Sequence, residues 1–232
     1  MLITTTEHLT RLMAWLSPAF PVGGYTYSHG IEYAVEAGHI SKRTDLVNWI
    51  EAILVHGAGR TDAVLFAAAY RAVEAGDEAA LGWAAERADV LRGSSELALE
   101  SSAQGTAFLS TVRNTWPPEN LGRWAEVLVA NGRPPAHAVA VAVVTACSGM
   151  PVEMALAGFL QAFAANLVSA GVRLVPLGQT DGQRAIAELD PIIHHATHGA
   201  LGARIEDLGG RAPLIDWAAM AHETQYTRLF RS

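Results

Sequence analysis

The stretch MALAGFLQAFAANLVSAGV, residues 154–172, runs for nineteen residues without a formal charge. Its length approaches the ~20 apolar residues with which a helix crosses a bilayer. However, Gln161, Asn166 and Ser169 interrupt the stretch, and alanine, which is only weakly hydrophobic, is its commonest apolar residue. The pattern therefore favours a buried core helix over a membrane span.

Helical periodicity extends from this segment towards both ends of the chain. Pro151 and the sequence Pro176-Leu177-Gly178 mark the two ends of the central helix. Beyond it we predict two shorter helices that meet near Pro191, a polar connection at 204–213 and an amphipathic helix over 214–230. Before it, apolar residues at helical spacing between glycines and prolines predict helices over 5–16, 27–38, 42–58, 61–76, 78–92, 94–114 and 119–130.

Residues 136–147 carry an ambiguous pattern. The run AVAVAVV alternates as a strand would, but Pro134-Pro135 in front of it is typical of a helix start. The sequence offers no second strand with which it could pair, and an isolated strand is unstable. We therefore predict a buried helix here, and an all-α fold: a single domain over residues 1–232 built as a bundle of about ten helices.

The composition excludes several classes of protein. Of 232 residues, 50% are hydrophobic and 17% are charged, which is too apolar for a disordered chain. Cys147 is the only cysteine, so no disulfide scaffold can form, and a single thiol fits the cytoplasm. A net charge of −7 is the wrong sign for binding nucleic acid. The first residues lack the basic region of a secretory leader.

The glycine-rich segment PVGGYTYSHG, residues 21–30, does not support catalysis. No Gly-Lys-Ser/Thr follows its glycines, as a phosphate loop would require, and no strand precedes them. Ser28 and His29 are adjacent, so on a helix they would point about 100° apart and could not act as a nucleophile and its base. We therefore expect no enzyme activity and no cofactor.

Three histidines form the motif HHxxH on a predicted helix. His194 and His198 are four residues apart and share one helix face, where two imidazoles can bind one metal ion, with His195 beside them. No glutamate stands between them, as in HExxH, and no third ligand is evident. Two interpretations stay open: a polar helix face, or a functional metal site.

Two further segments have the composition of interaction surfaces. Arg173 ends an apolar run, so its guanidinium either reaches solvent along the helix or belongs to a binding surface, and Gln179 and Asp181 follow it as either helix caps or contact residues. At the far end, the sequence HETQYTRLFRS, residues 222–232, combines aromatic residues with arginine, as interface anchors do.

These segments resemble the urease accessory protein F (UreF) family. The resemblance covers nearly the whole chain, because four blocks of sequence match in the same order as in the family. The blocks at 166–183 and 222–232 are long and specific. The matching blocks are SPAFPVGGYTYSHGIEYAVEAG at 17–38, SSAQGTAFL at 101–109, NLVSAGVRLVPLGQTDGQ at 166–183 and HETQYTRLFRS at 222–232.

The resemblance implies an all-helical, dimeric, non-enzymatic scaffold for urease maturation. Such a scaffold binds accessory protein D (also called H) and recruits and modulates the GTPase accessory protein G, and the complex delivers nickel to the urease apoprotein. The alternative hypothesis is a metallochaperone that itself carries nickel on His194, His195 and His198. Carried over by position, Tyr25, Glu32 and Arg173 face protein G. Residues 214–232 form a partner-binding segment for protein D; from the residues themselves, the polar and glycine-rich connection at 204–213 predicts that this segment is loosely held until it binds. Its contact residues are Tyr226, Arg228, Leu229 and Phe230.

Overall fold

The computed structural model describes residues 5–232, and within that range the chain is α-helical with no strand. Three short 3-10 turns connect parts of the bundle. The helices are α1 Thr5–Trp15, α2 Ile31–Glu36, α3 Arg43–Val55, α4 Ala58–Ala75, α5 Glu78–Val90, α6 Ser95–Thr115, α7 Leu121–Leu128, α8 His137–Cys147, α9 Val152–Leu174, α10 Gln179–Gly202 and α11 Pro213–His222. The all-α prediction is confirmed. The prediction that the chain does not begin with a secretory leader falls partly on residues 1–4, which lie outside the described residues.

Helix α9 lies at the centre of the bundle, as its sequence predicts. It packs against α2, α3, α4, α8 and α10, and its side chains Leu156, Leu160 and Leu167 have no exposed area. By length and composition α9 is the one described helix that could cross a membrane, but half of its most apolar window is buried inside the protein. Its hydrophobicity is therefore used in the core.

Helix α8 shows why an alternating apolar pattern folds here as a helix. Every residue from Ala138 to Thr145 is buried, because α4, α6 and α9 surround the helix. A helix that is covered on all sides needs no polar face, so periodicity alone carries no signal for it. The prediction of a buried helix is confirmed.

The structure corrects the predicted break at Pro191. Helix α10 runs without interruption from Gln179 to Gly202 with this proline inside it. A proline inside a helix costs ~3 kcal/mol or more because it removes a hydrogen bond and crowds the preceding turn. Leu189 and Ile193, on either side of Pro191, are both buried on the face that packs against the bundle. Continuous packing of that face offsets the local cost.

Helix α2 begins later than predicted because of the backbone conformation just before it. The pattern predicts a helix from about residue 27, but His29 and Gly30 have φ angles of +53° and +75°, and the helix begins only at Ile31. A Cβ on Gly30 would lie 2.7 Å from the backbone nitrogen of Ala219 in α11. The left-handed glycine therefore allows α2 and α11 to approach closely.

The predicted helix over 214–230 is also shorter than expected. Helix α11 ends at His222, and residues 223–232, called the tail below, continue as irregular backbone. The backbone amides of Leu229 and Phe230 donate to the side chain of Glu32 instead of to helical carbonyls. A long-range acceptor therefore replaces the helical hydrogen bonds.

Gly105, in the middle of α6, should tolerate no side chain. A Cβ at this position would lie 2.0 Å from the backbone oxygen of Pro135, where the chain enters α8. We expect Gly105→Ala to lower the free energy of unfolding by about 1–3 kcal/mol in chemical denaturation, the usual cost of overpacking.

The matched control is Gly82→Ala in the interior of α5, where an added Cβ meets no atom within 4 Å. This change should raise stability by up to ~1 kcal/mol through helix propensity. Equal effects of the two substitutions would contradict the close approach of α6 and the start of α8.

Candidate functional site

Residues 21–27, called the corner below, form a turn that presents an aromatic side chain to solvent. Gly23 has a φ of +73°, and the 3-10 turn Gly24–Thr26 follows it. The Asn166 side-chain amide on α9 donates to the Gly24 carbonyl over 2.8 Å. This bond holds the backbone of the corner, while 64% of Tyr25 is exposed.

Arg173 joins the corner to the tail. Its Nη2 donates to the Tyr25 carbonyl at 2.9 Å, and its Nε donates to the Ser169 carbonyl at 3.2 Å. The guanidinium carbon also lies 4.4 Å from the centroid of the Phe230 ring, a cation–π distance. Burial lowers the pKa of Arg173 from its ordinary value. Of the two interpretations that the sequence leaves open, these contacts favour a built surface over a side chain that only reaches for water.

Glu32 lies inside the protein and binds the tail. Its Oε1 accepts from the Leu229 amide at 2.6 Å, and its Oε2 accepts from the Phe230 amide at 2.9 Å. The Nε2 atom of His222 lies 3.1 Å from Oε2. Only 7% of Glu32 is exposed, so this side chain, predicted to face a partner, is positioned to hold the tail.

A chain of charged side chains continues from Glu32 to the surface. His222 is fully buried, and its Nδ1 lies 2.7 Å from the Glu96 carboxylate on α6. The other oxygen of Glu96 accepts from Arg228 at 2.5 Å. The chain ties α2, α6, α11 and the tail together.

A second set of contacts holds the last residues of the described chain. The Ser28 amide donates to the Ser232 oxygen at 2.6 Å, and the Ser232 hydroxyl lies 3.2 Å from the buried Glu100 carboxylate. Glu100 also contacts His29 at 2.9 Å. Burial, followed by the charge of Glu100, raises the pKa of Tyr27. The segment 27–29 is therefore fixed against the tail.

The tail is consequently packed against the bundle. This differs from the prediction of a loosely held segment, which rests on the glycine-rich connection at 204–213. Its four predicted contact residues divide into two kinds. Phe230 is 4% exposed and Arg228 pairs with Glu96, whereas Tyr226 is completely exposed and Leu229 is 66% exposed. Only Tyr226 and Leu229 offer largely free apolar side chains to a partner.

Gln179 and Asp181 lie apart from this cluster, at the start of α10. Asp181 pairs with Arg43 at 3.5 Å and with Arg184 at 3.0 Å, which places it beside α3. Gln179 is exposed, and among the described contacts none joins either residue to the corner or the tail. The structure therefore brings seven of the nine predicted contact residues together and leaves these two outside.

The histidine motif does not build a metal site. His194 lies 3.8 Å from Asp190, His198 lies 3.7 Å from Glu153, and His195 is exposed on the same helix. Across residues 5–232, no group of three or more histidine, cysteine or acidic side chains is placed to hold a metal ion. The structure therefore does not support the nickel-carrier alternative, because the three histidines do not form a cluster.

Sequence reasoning did not assign a role to Glu96, Glu100 or His222, although all three anchor the site. Glu96 and Glu100 are four residues apart on α6, and both project towards the tail. Two acidic residues on one helix face that is otherwise packed were the available signal. Nothing in the local pattern indicates that Glu96 and Glu100 have partners in the tail more than 120 residues away.

The chain is similar in sequence to known urease accessory proteins. A sequence profile described as UreF matches residues 40–190. The urease accessory protein UreF of Rhodopseudomonas palustris strain HaA2 is 51% identical over 224 residues, covering 97% of this chain and 93% of the relative. Those of Granulibacter bethesdensis and Bradyrhizobium diazoefficiens are 48% and 47% identical, each over 97% of this chain and over 94% and 91% of their own lengths.

Replacing Glu32 by glutamine should release the tail. The amide keeps the size of the side chain but loses the charge that accepts from His222 and two backbone amides. Hydrogen bonds to charged groups contribute about 1.5–3 kcal/mol, so we expect the amides of residues 229 and 230 to exchange with deuterium at least ~10-fold faster. Peptide-level hydrogen exchange measures this. Glu51→Gln, at an exposed position on α3, is the control, and unchanged tail protection in Glu32→Gln would contradict the anchoring role.

Proposed function

The chain belongs to the UreF family of urease accessory proteins, and from that membership we propose that it is a non-enzymatic scaffold in urease maturation. It binds accessory protein D (H) through the tail and recruits and modulates the GTPase accessory protein G through the corner, in the cytoplasm. The resulting complex acts on the urease apoprotein, with nickel as the cargo. The observation that supports this most directly is that the corner and the tail form one connected surface with exposed apolar side chains.

The contacts divide the proposed surface into anchors and contact residues. We assign Tyr25 to protein G, and Tyr226 and Leu229 to protein D, because these side chains are exposed. Hydrogen bonds hold the backbone of Tyr25 and of Leu229 in place. Glu32 and Phe230 act from inside the protein by fixing the shape of the tail. Interfaces commonly depend on a few such aromatic and aliphatic anchors.

Arg173 has a positioning role in this proposal. Two carbonyl oxygens and the Phe230 ring hold its guanidinium in place. An arginine that enters a GTPase site must be free to reach the phosphates at the transition state. Modulation of protein G therefore works through the shape of the corner, and Arg173 links that shape to the tail.

Co-purification with proteins D and G tests the two surfaces separately. Tyr226→Ala combined with Leu229→Ala should weaken D binding at least ~10-fold, because truncating a central interface side chain costs 2 kcal/mol or more. The control is Trp116→Ala, at an exposed position directly after α6. Arg173→Ala should retain D and lose G, with the exposed Arg113→Ala as its control. Binding of both partners at unaltered yield by all variants would disprove the assignment.

We also propose that the protein is a homodimer. Half-exposed apolar side chains lie along α1 and α11. Together they expose more apolar surface than an isolated domain needs to leave uncovered. They are Leu9, Met13, Leu214, Trp217 and Met220. Light scattering at micromolar concentration should give about twice the chain mass of 24.6 kDa. A strictly monomeric protein in the absence of partners would contradict this.

A further inference from the structure

A cavity of about 160 Å³ lies beneath the corner, between α1, α6, α8 and α9. Its inner wall is mostly apolar and includes Trp15, Phe159 and Phe163. Its outer end is bordered by the exposed residues Pro18, Tyr25 and Ser169. A cavity of about 150 Å³ is large enough for benzene, so a molecule of six to eight heavy atoms fits here.

Polar side chains in this wall have hydrogen-bonding capacity that the protein leaves unused. The amide nitrogens of Gln104 and Asn166 donate to Glu100 and to the Gly24 carbonyl at 2.9 and 2.8 Å, respectively. Within residues 5–232, no donor reaches the amide oxygen of either side chain. Because both side chains line the cavity, their oxygens are free to accept from water or from a ligand inside it.

His137, the first residue of α8, adds a third such group. Its ring makes edge contacts with Phe108 and Phe159, at 5.8 and 5.6 Å between centroids, and neither ring nitrogen has a hydrogen-bond partner among the described residues. Burial lowers the pKa of His137 to about 4, so at neutral pH the ring is uncharged. It then presents one N–H donor and one acceptor.

The charges around the cavity restrict the ligand further. The Glu100 carboxylate belongs to the wall, and neither lysine nor arginine is among the described lining residues. A carboxylate or phosphate would meet negative charge without a compensating cation, which is costly in a buried site. The unused acceptors instead suit a neutral molecule that carries an O–H or N–H group.

We propose that this cavity is a binding site for a small uncharged ring compound with one hydrogen-bond donor, whose ring lies between Trp15 and the α9 phenylalanines and whose donor reaches the amide oxygen of Gln104 or Asn166. Because Gly24 and Tyr25 line the cavity, an occupant also contacts the corner from below. Binding to the isolated chain does not depend on whether the corner contacts a GTPase.

Phenol and toluene, which have the same number of heavy atoms, test the site and its donor requirement. Each is titrated into the isotope-labelled full chain, and amide shifts are followed by nuclear magnetic resonance. We expect saturable shifts centred on Gly24, Asn166 and His137, with phenol binding at least as tightly as toluene although water solvates phenol better. Benzoate should show no saturable binding. Tighter binding of toluene or saturation by benzoate would overturn the ligand class, and no saturable shift at these residues with either neutral probe would overturn the site.

Ala165→Leu fills the cavity from α9 and should weaken phenol binding at least ~10-fold, since the ligand and the added carbons compete for the same space. Ala157→Leu, at a half-buried alanine of α9 outside the cavity, is the matched control and should bind phenol as the unaltered protein does. Equal phenol affinity in a folded Ala165→Leu protein would place the ligand elsewhere. If that variant does not fold, the comparison of the three probes on the unaltered chain decides.

Discussion

The buried carboxylate of Glu32 is the constraint on which the geometry of the surface depends. A charge at this depth is tolerated only when it is paired and hydrogen-bonded, and Glu32 obtains both from the end of the chain: the His222 ring and the amides of residues 229 and 230. To make these contacts, α11 ends at His222 and the tail turns back over α2. The Phe230 ring then lies beneath Arg173. The position of the corner follows, because Arg173 also holds its backbone.

This arrangement separates the residues that shape the surface from those that present it. Glu32, His222 and Phe230 are buried and act through the backbone, so their replacement alters the whole tail. Tyr25, Tyr226 and Leu229 project into solvent and can change without disturbing those contacts. Loss of partner binding by itself therefore does not identify a contact residue, since either kind of substitution produces it. Protection of the tail amides distinguishes the two causes.

The sequence predicts the parts of the fold that local forces decide. Helix α9, the buried helix α8 and the left-handed glycines that end α2 and α4, Gly38 and Gly76, follow from composition and capping. Pro191 and the tail could not be predicted in the same way, because packing across the bundle and the pairing of Glu32 with Phe230, 198 residues apart, decide them. The resemblance singles out Glu32 and Arg173, but the burial and the direction of these side chains come only from the structure.

The tail motif HETQYTRLFRS can now be interpreted residue by residue. His222 and Phe230 point inward, and Glu223 accepts from the amide and hydroxyl of Ser95, at 2.7 and 2.8 Å, at the start of α6. Arg228 reaches Glu96 on the same helix. These four anchors restrict the conformations of a short irregular segment. Because the segment is preorganised, it loses little entropy when a partner binds. The free energy gained by burying the two exposed apolar side chains between these anchors can therefore contribute almost fully to binding. This explains how so short a tail can serve as a docking surface.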